Sequence, residues 1–89
     1  MSGENAFQST RALLRLQVTA EADPGALARV LERFQNLNVL PRRIVAEFGI
    51  NELLHIQVDI LGLEESRLSG IAAKLSQMTS VLAAYWHYV

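Results

Sequence analysis

Apolar and polar residues alternate near the start of the chain, where Leu14, Leu16 and Val18 interleave with Arg15, Gln17 and Thr19. A period of two marks a strand with one buried face. The period then lengthens. Leu27, Val30, Leu31, Phe34 and Leu37 fall at helical spacing and make one apolar stripe. Just before them stand Asp23, a residue suited to capping a helix N-terminus, and Pro24, whose missing N–H is no loss in a first turn. A helix is therefore predicted from this point, ending at Asn36 or Asn38 in the left-handed conformation that glycine usually supplies. The next apolar stretch, VLPRRIVAEF, contains Pro41, which cannot donate to a ladder. That strand either lies at a sheet edge or begins after the proline. Gly49, Ile50 and Asn51 signal a turn, and strict alternation resumes with Leu54, Ile56, Val58 and Ile60 inward and His55, Gln57 and Asp59 outward. Two strands joined by so short a loop make a hairpin. Beyond Gly62, Leu68, Ile71, Ala72, Leu75 and Met78 form a second helical stripe, with Glu64 and Glu65 near its start, where the helix dipole favours anions. The closing SVLAAYWHYV is rich in β-branched and aromatic residues and reads as a last strand.

The order β-α-β-β-α-β, with each helix amphipathic, predicts an α+β fold: a four-stranded antiparallel sheet with both helices on one face, the ferredoxin-like arrangement. Residues 1–10 carry no period and read as a loose tail, and residues 11–89 as one domain. The predicted core is Leu16, Val18, Leu27, Val30, Leu31, Phe34, Leu54, Ile56, Val58, Leu68, Ile71 and Leu75. Alternation also sends Leu13, Leu53 and half of the aromatics at Tyr85–Tyr88 to the other face, where they suggest a patch covered by another subunit.

Composition narrows the function classes. With 51% hydrophobic and 19% charged residues the chain is in the folding regime. Eight basic against nine acidic residues leave a net charge of −1, without the basic excess of a phosphate-tracking protein. The absence of cysteine rules out disulfides, thiolate metal sites and a Cys nucleophile. The opening MSGENAFQSTRA has no hydrophobic run of the secretory kind, and the apolar runs fall far short of a membrane span. A soluble cytoplasmic protein is expected. A domain this small buries only roughly 60–65% of its surface, so self-association is expected as well.

Candidate chemistry is sparse. Neither His55 nor His87 has converging ligands; Asp59 is four residues from His55 on the same strand face, roughly 13 Å at strand rise. No nucleophile elbow and no paired carboxylates stand out, so no catalytic residue, metal or cofactor is implied. Base stacking on an open sheet needs aromatics on the central strands. The outward positions there are Arg15, Gln17, His55 and Gln57, which argues against nucleic acid as a partner.

The segment LRLQVTAEADPGALARVLERFQNLNVLPRRIVAEF resembles the ACT domain, a small regulatory module of amino-acid-metabolising enzymes, and the resemblance extends over roughly Ala12 to Tyr88. It is similar above all to the small regulatory subunits of acetohydroxyacid (acetolactate) synthase, through Gly25, Ala26, Leu27, Arg29, Val30 and Phe34. The resemblance implies a homodimer or higher oligomer in which helix starts meet at the interface. An amino-acid effector would lay its carboxylate on the amides around Gly25, Ala26 and Leu27, as a helix N-terminus with a glycine opening favours. A catalytic enzyme subunit is the implied partner. Asp23 matches an acidic position before the family's glycine, and its role read from the residues alone is the N-cap. Three positions depart from valine-binding relatives: Asn38 stands where they carry glycine, Leu40 where they carry the effector-binding Asn, and Ala22 where they carry a polar residue three before the glycine. Two readings follow: a regulatory amino-acid-sensing module, and a structural interaction module that kept the fold and lost the effector.

Overall fold

The computed structural model describes residues 12–89; the predicted tail lies outside them. β1 (Leu13–Glu21) leads into α1 (Ala26–Asn36), β2 (Arg43–Phe48), a short 3-10 turn (Ile50–Glu52), β3 (Leu53–Leu61), α2 (Glu65–Ser76) and β4 (Val81–Tyr88). The four strands form one sheet in the order β2-β3-β1-β4 with antiparallel pairing throughout. This is the predicted βαββαβ fold.

Alternation decides which face of the sheet is dry. Leu14, Leu16, Val18 and Ala20 of β1 and Ile56, Val58 and Ile60 of β3 are buried. They join Ala26, Val30 and Phe34 of α1 and Leu68, Ile71, Ala72 and Leu75 of α2 in one cluster. Both helices therefore lie on the same face. Three residues of the predicted core fall short of burial. Leu27 and Leu54 pack against the cluster half-buried, and Leu31 is half-buried outside it. All three face β2, the one strand whose helix side stays open. The register pairs Ile44, Ala46 and Phe48 of β2 with Val58, Ile56 and Leu54, yet Ile44 is 41% exposed and Phe48 81%. Of the predicted outward patch, Leu13, Leu53 and Tyr85 do lie on the uncovered face, Leu13 and Leu53 half-buried and Tyr85 56% exposed. A further set of exposed apolar residues that the pattern did not single out, Leu40, Ile44, Phe48 and Ile50, lies around β2.

The start of α1 also differs from expectation. Its N-cap is Gly25, with no side-chain cap bond. Asp23 does not cap: its carbonyl accepts from the Ala26 N–H at 2.9 Å, and its carboxylate takes Arg29 Nη1 at 3.0 Å. A cation one turn into the helix outbids the amides for that carboxylate, so Pro24 and Gly25 form a turn and the helix begins at Ala26. The other end follows the sequence. Asn38 has φ 57°, its N–H donates to the Gln35 carbonyl, and the Val39 N–H reaches back to the Phe34 carbonyl at 2.9 Å, a complete Schellman closure. β2 begins after Pro41 and is an edge strand, so both readings of that proline hold.

Candidate functional site

Three contacts hold the loop before α1. Glu21 N–H donates to the Ser80 carbonyl at 2.8 Å, Ala22 N–H donates to the Glu52 carbonyl at 3.0 Å, and Asp23 closes on Ala26 and Arg29 as described. The Glu52 contact ties the loop to the β2–β3 turn, where Asn51 and Glu52 both adopt positive φ. That turn is tight. A Cβ at Gly49 would fall 2.5 Å from Nε2 of His55, so only glycine lets the ring lie there. Among the described residues no hydrogen bond takes up the amides of Gly25 or Leu27, whereas the Ala26 amide is occupied by Asp23.

Beside this helix mouth is a mainly apolar recess of about 310 Å³, lined by Ala22, Asp23, Leu27, Ala46, Phe48 and Leu54 among others. A second recess, of about 400 Å³, lies at the far end of α1 and includes Leu31, Asn38, Leu40 and Ile44. The six residues singled out in the sequence thus divide. Asp23, Gly25, Ala26 and Leu27 gather at one end of α1, and Asn38 and Leu40 at the other. An 11-residue helix separates them by about 16 Å at 1.5 Å per residue. Leu31 of α1 and Ile44 of β2 line the far recess and Leu27, Ala46 and Phe48 the near one, so the two lie in succession between α1 and the sheet edge.

The groups with perturbed protonation lie elsewhere. On the uncovered sheet face Arg15 binds Asp59 through Nε at 2.7 Å and Nη2 at 3.1 Å. That hydrogen bonding holds the Asp59 carboxyl below its ordinary range against the opposing effect of burial, with help from the charges of Arg15, Arg43 and His87; the same bond raises Arg15. At the α2 start Tyr88 donates its hydroxyl to Glu65, which raises the phenol. Among the described residues no three His, Asp or Glu side chains assemble as metal ligands, and no helix is long and apolar enough to cross a membrane. The sequence reading missed the Arg15–Asp59 pair, although both sat on outward positions of adjacent strands, and it missed the uncovered side of β2.

A sheet covered on one face, with an apolar groove between its first helix and an edge strand, defines a small α+β sandwich whose distinctive surface is a crevice. The chain belongs to the ACT-like domain family, whose model matches residues 7–89. No curated protein matches it. Among solved structures it is similar to the C-terminal domain of the MgtC protein from Mycobacterium tuberculosis, with TM-score 0.72, 17% identity, and 90% of this chain and 89% of that one covered. It is also similar to the ACT domain from GTP pyrophosphokinase of Chlorobium tepidum, with TM-score 0.70, 14% identity, and coverage of 85% and 97%. The regulatory subunit of aspartate kinase from Thermus flavus gives TM-score 0.67 at 11% identity, and there the chain spans about half (51%) of the other protein for 85% of its own length. At such identities the likeness is one of fold.

Proposed function

We propose that this protein is a regulatory amino-acid-sensing domain, itself non-catalytic, that works in the cytoplasm as a homodimer and modulates a catalytic subunit of branched-chain amino-acid biosynthesis of the acetohydroxyacid synthase kind. The observation that carries the reading is the apolar recess opening beside an α1 start that has no side-chain cap. An amino acid's carboxylate would lie on the Gly25 and Leu27 amides, where the helix dipole favours an anion. Its side chain would enter the recess among Leu27, Ala46, Phe48 and Leu54. The Asp23 carboxylate, whose side chain is 42% exposed, would accept from the ammonium group. The apolar lining favours branched or larger aliphatic side chains.

Calorimetry with a panel of branched-chain and other amino acids tests this. Binding by the native protein is expected, with loss of at least tenfold in affinity on Gly25→Val. A Cβ at residue 25 makes only ordinary contacts of 3.5 Å with Arg29 and 3.6 Å with Asp23, so the fold should tolerate the change while the approach to the amides narrows. Heat of binding that survives Gly25→Val would place the site elsewhere. A structural interaction module without an effector is the second reading. It is favoured by Leu40, 89% exposed at a position where the valine-binding relatives place a ligand contact, and by the Ala26 amide being occupied. No binding by any amino acid would select it.

A further inference from the structure

The uncovered face of the sheet carries a pattern that its own two-fold image completes. On β3 the residues of this face run Leu53, His55, Gln57, Asp59 and Leu61. Turned end for end about Gln57, that row sets leucine against leucine, His55 against Asp59 and Gln57 against itself. The other strands share the same centre, because the register puts Val45 and Gln17 beside Gln57 and Tyr85 beside Gln17. On β2 the half-turn about Val45 sets Arg43 against Glu47. The polar groups of the face are also partly withdrawn from water already: Asp59 is buried under Arg15, and Gln17 and Gln57 are half-buried. Covering them therefore costs less solvation than covering a fully wet polar surface.

We propose that this face stacks on the same face of a second copy, about a two-fold axis that crosses the strands at Val45, Gln57, Gln17 and Tyr85. Sheets so related lie about 10 Å apart with their strands nearly aligned, as in a β-sandwich. Arg43 of each copy then faces Glu47 of the other, His55 faces Asp59, and Leu53 faces Leu61. The two Gln57 side chains meet on the axis, where each amide offers both a donor and an acceptor. Charge selects this arrangement over its rivals. A two-fold along the strands would set Arg43 over His87 and Glu47 over Ala83, giving neither an opposite charge. Sliding one copy along the strands by a residue pair sets Asp59 against Leu53, or Leu61 against His55, and loses the match. Four strands about 4.8 Å apart and up to nine residues long span roughly 19 by 30 Å. The stack thus covers about 1,100 Å² on the two copies together, at the low end of specific interfaces. It leaves the recesses beside β2 open to an amino acid and gives the proposed self-association a face and a register.

Opposite charges placed at a self-facing position test the stack. Gln57→Glu and Gln57→Lys each bring like charges together on the axis. Each should weaken association at least tenfold and halve the mass that sedimentation reads at a fixed concentration. An equimolar mixture of the two should restore it, because a carboxylate then meets an ammonium group. Tyr85, 56% exposed on an edge strand, also faces its own copy, so Tyr85→Glu and Tyr85→Lys repeat the test where the fold bears a charge more easily. A native assembly whose mass persists in all four variants overturns the stack and leaves the homodimer reading standing. Variants that dissociate yet fail to recover on mixing overturn the axis. A native species near 9.9 kDa alone overturns the stack and the homodimer reading together, while amino-acid sensing is still decided by calorimetry.

Discussion

Asp59 points to the uncovered face of a central strand, where carboxylates are ordinarily wet, yet it is only 4% exposed. Arg15 on β1 and Arg43 on β2 flank it, both directly paired with it in the sheet, and Arg15 closes a two-pronged bond over it. Its carboxyl is held below the ordinary value of 3.8 chiefly by that bond. The folded protein therefore binds this proton less readily than the unfolded chain. The resulting stabilisation is fully present above about pH 4 and is lost as pH falls through that range toward the depressed value. Asp59→Asn should melt below the native protein near neutral pH, and the gap should narrow as pH is lowered to about 3. Thermal melts at the two pH values read this out; a gap independent of pH would mean the charge of Asp59 contributes nothing. Pairing was not legible in the sequence, because alternation says which residues face outward but not which strands are neighbours.

At the scale of single elements the ends of α1 teach opposite lessons. The Asn38 closure was legible, because few residues other than glycine and asparagine accept a positive φ without strain. Asn38→Gly should leave stability within a few tenths of a kcal/mol, whereas Asn38→Val should cost about 1–2 kcal/mol, read from urea unfolding. Equal stability of the two variants would mean the helix end reorganises. The start of α1 was not legible, since Asp23 serves equally well as a cap or as an ion-pair partner, and Arg29 decides between them only once the turn has formed. The stripes that identified both helices and the alternation of β1 and β3 report burial, and burial is what the fold delivers there. In β2 the same alternation occurs at Ile44 and Phe48, but these residues face a groove that the helices leave open. Of the candidate residues, the closeness of Asp23, Gly25, Ala26 and Leu27 in one loop and first helical turn was legible. The division of the candidates between the two ends of α1 followed from the predicted helix; that both ends open on β2 was not legible, because it depends on how the helix lies along the sheet edge.

Across the whole molecule, β1 is the strand on which everything depends. It pairs with β3 along its full length and with β4 from Leu14 to Ala20. Removing residues 81–89 should therefore strip one side of β1 and take away the cover that Trp86, bonded through Nε1 to Ser69 at 2.8 Å, gives to α2. Loss of cooperative thermal unfolding is expected for that truncation; a sharp transition would show that β4 is dispensable. Such a sheet also imposes an order in time. The first strand to be synthesised is central, and its partners lie far along the chain, with Leu14 opposite Ile60 and Tyr88. At ribosomal rates the stretch from Glu21 to Val81 takes roughly 3–12 s to emerge. Until β3 has emerged Leu14, Leu16 and Val18 have no partner strand, and until Val81 follows β1 lacks its second neighbour; only the β2–β3 hairpin can form early from neighbours in sequence. Folding of the sheet's centre is thus a late event, and a chaperone that shields apolar strands has its longest task at the very segment that ends up driest.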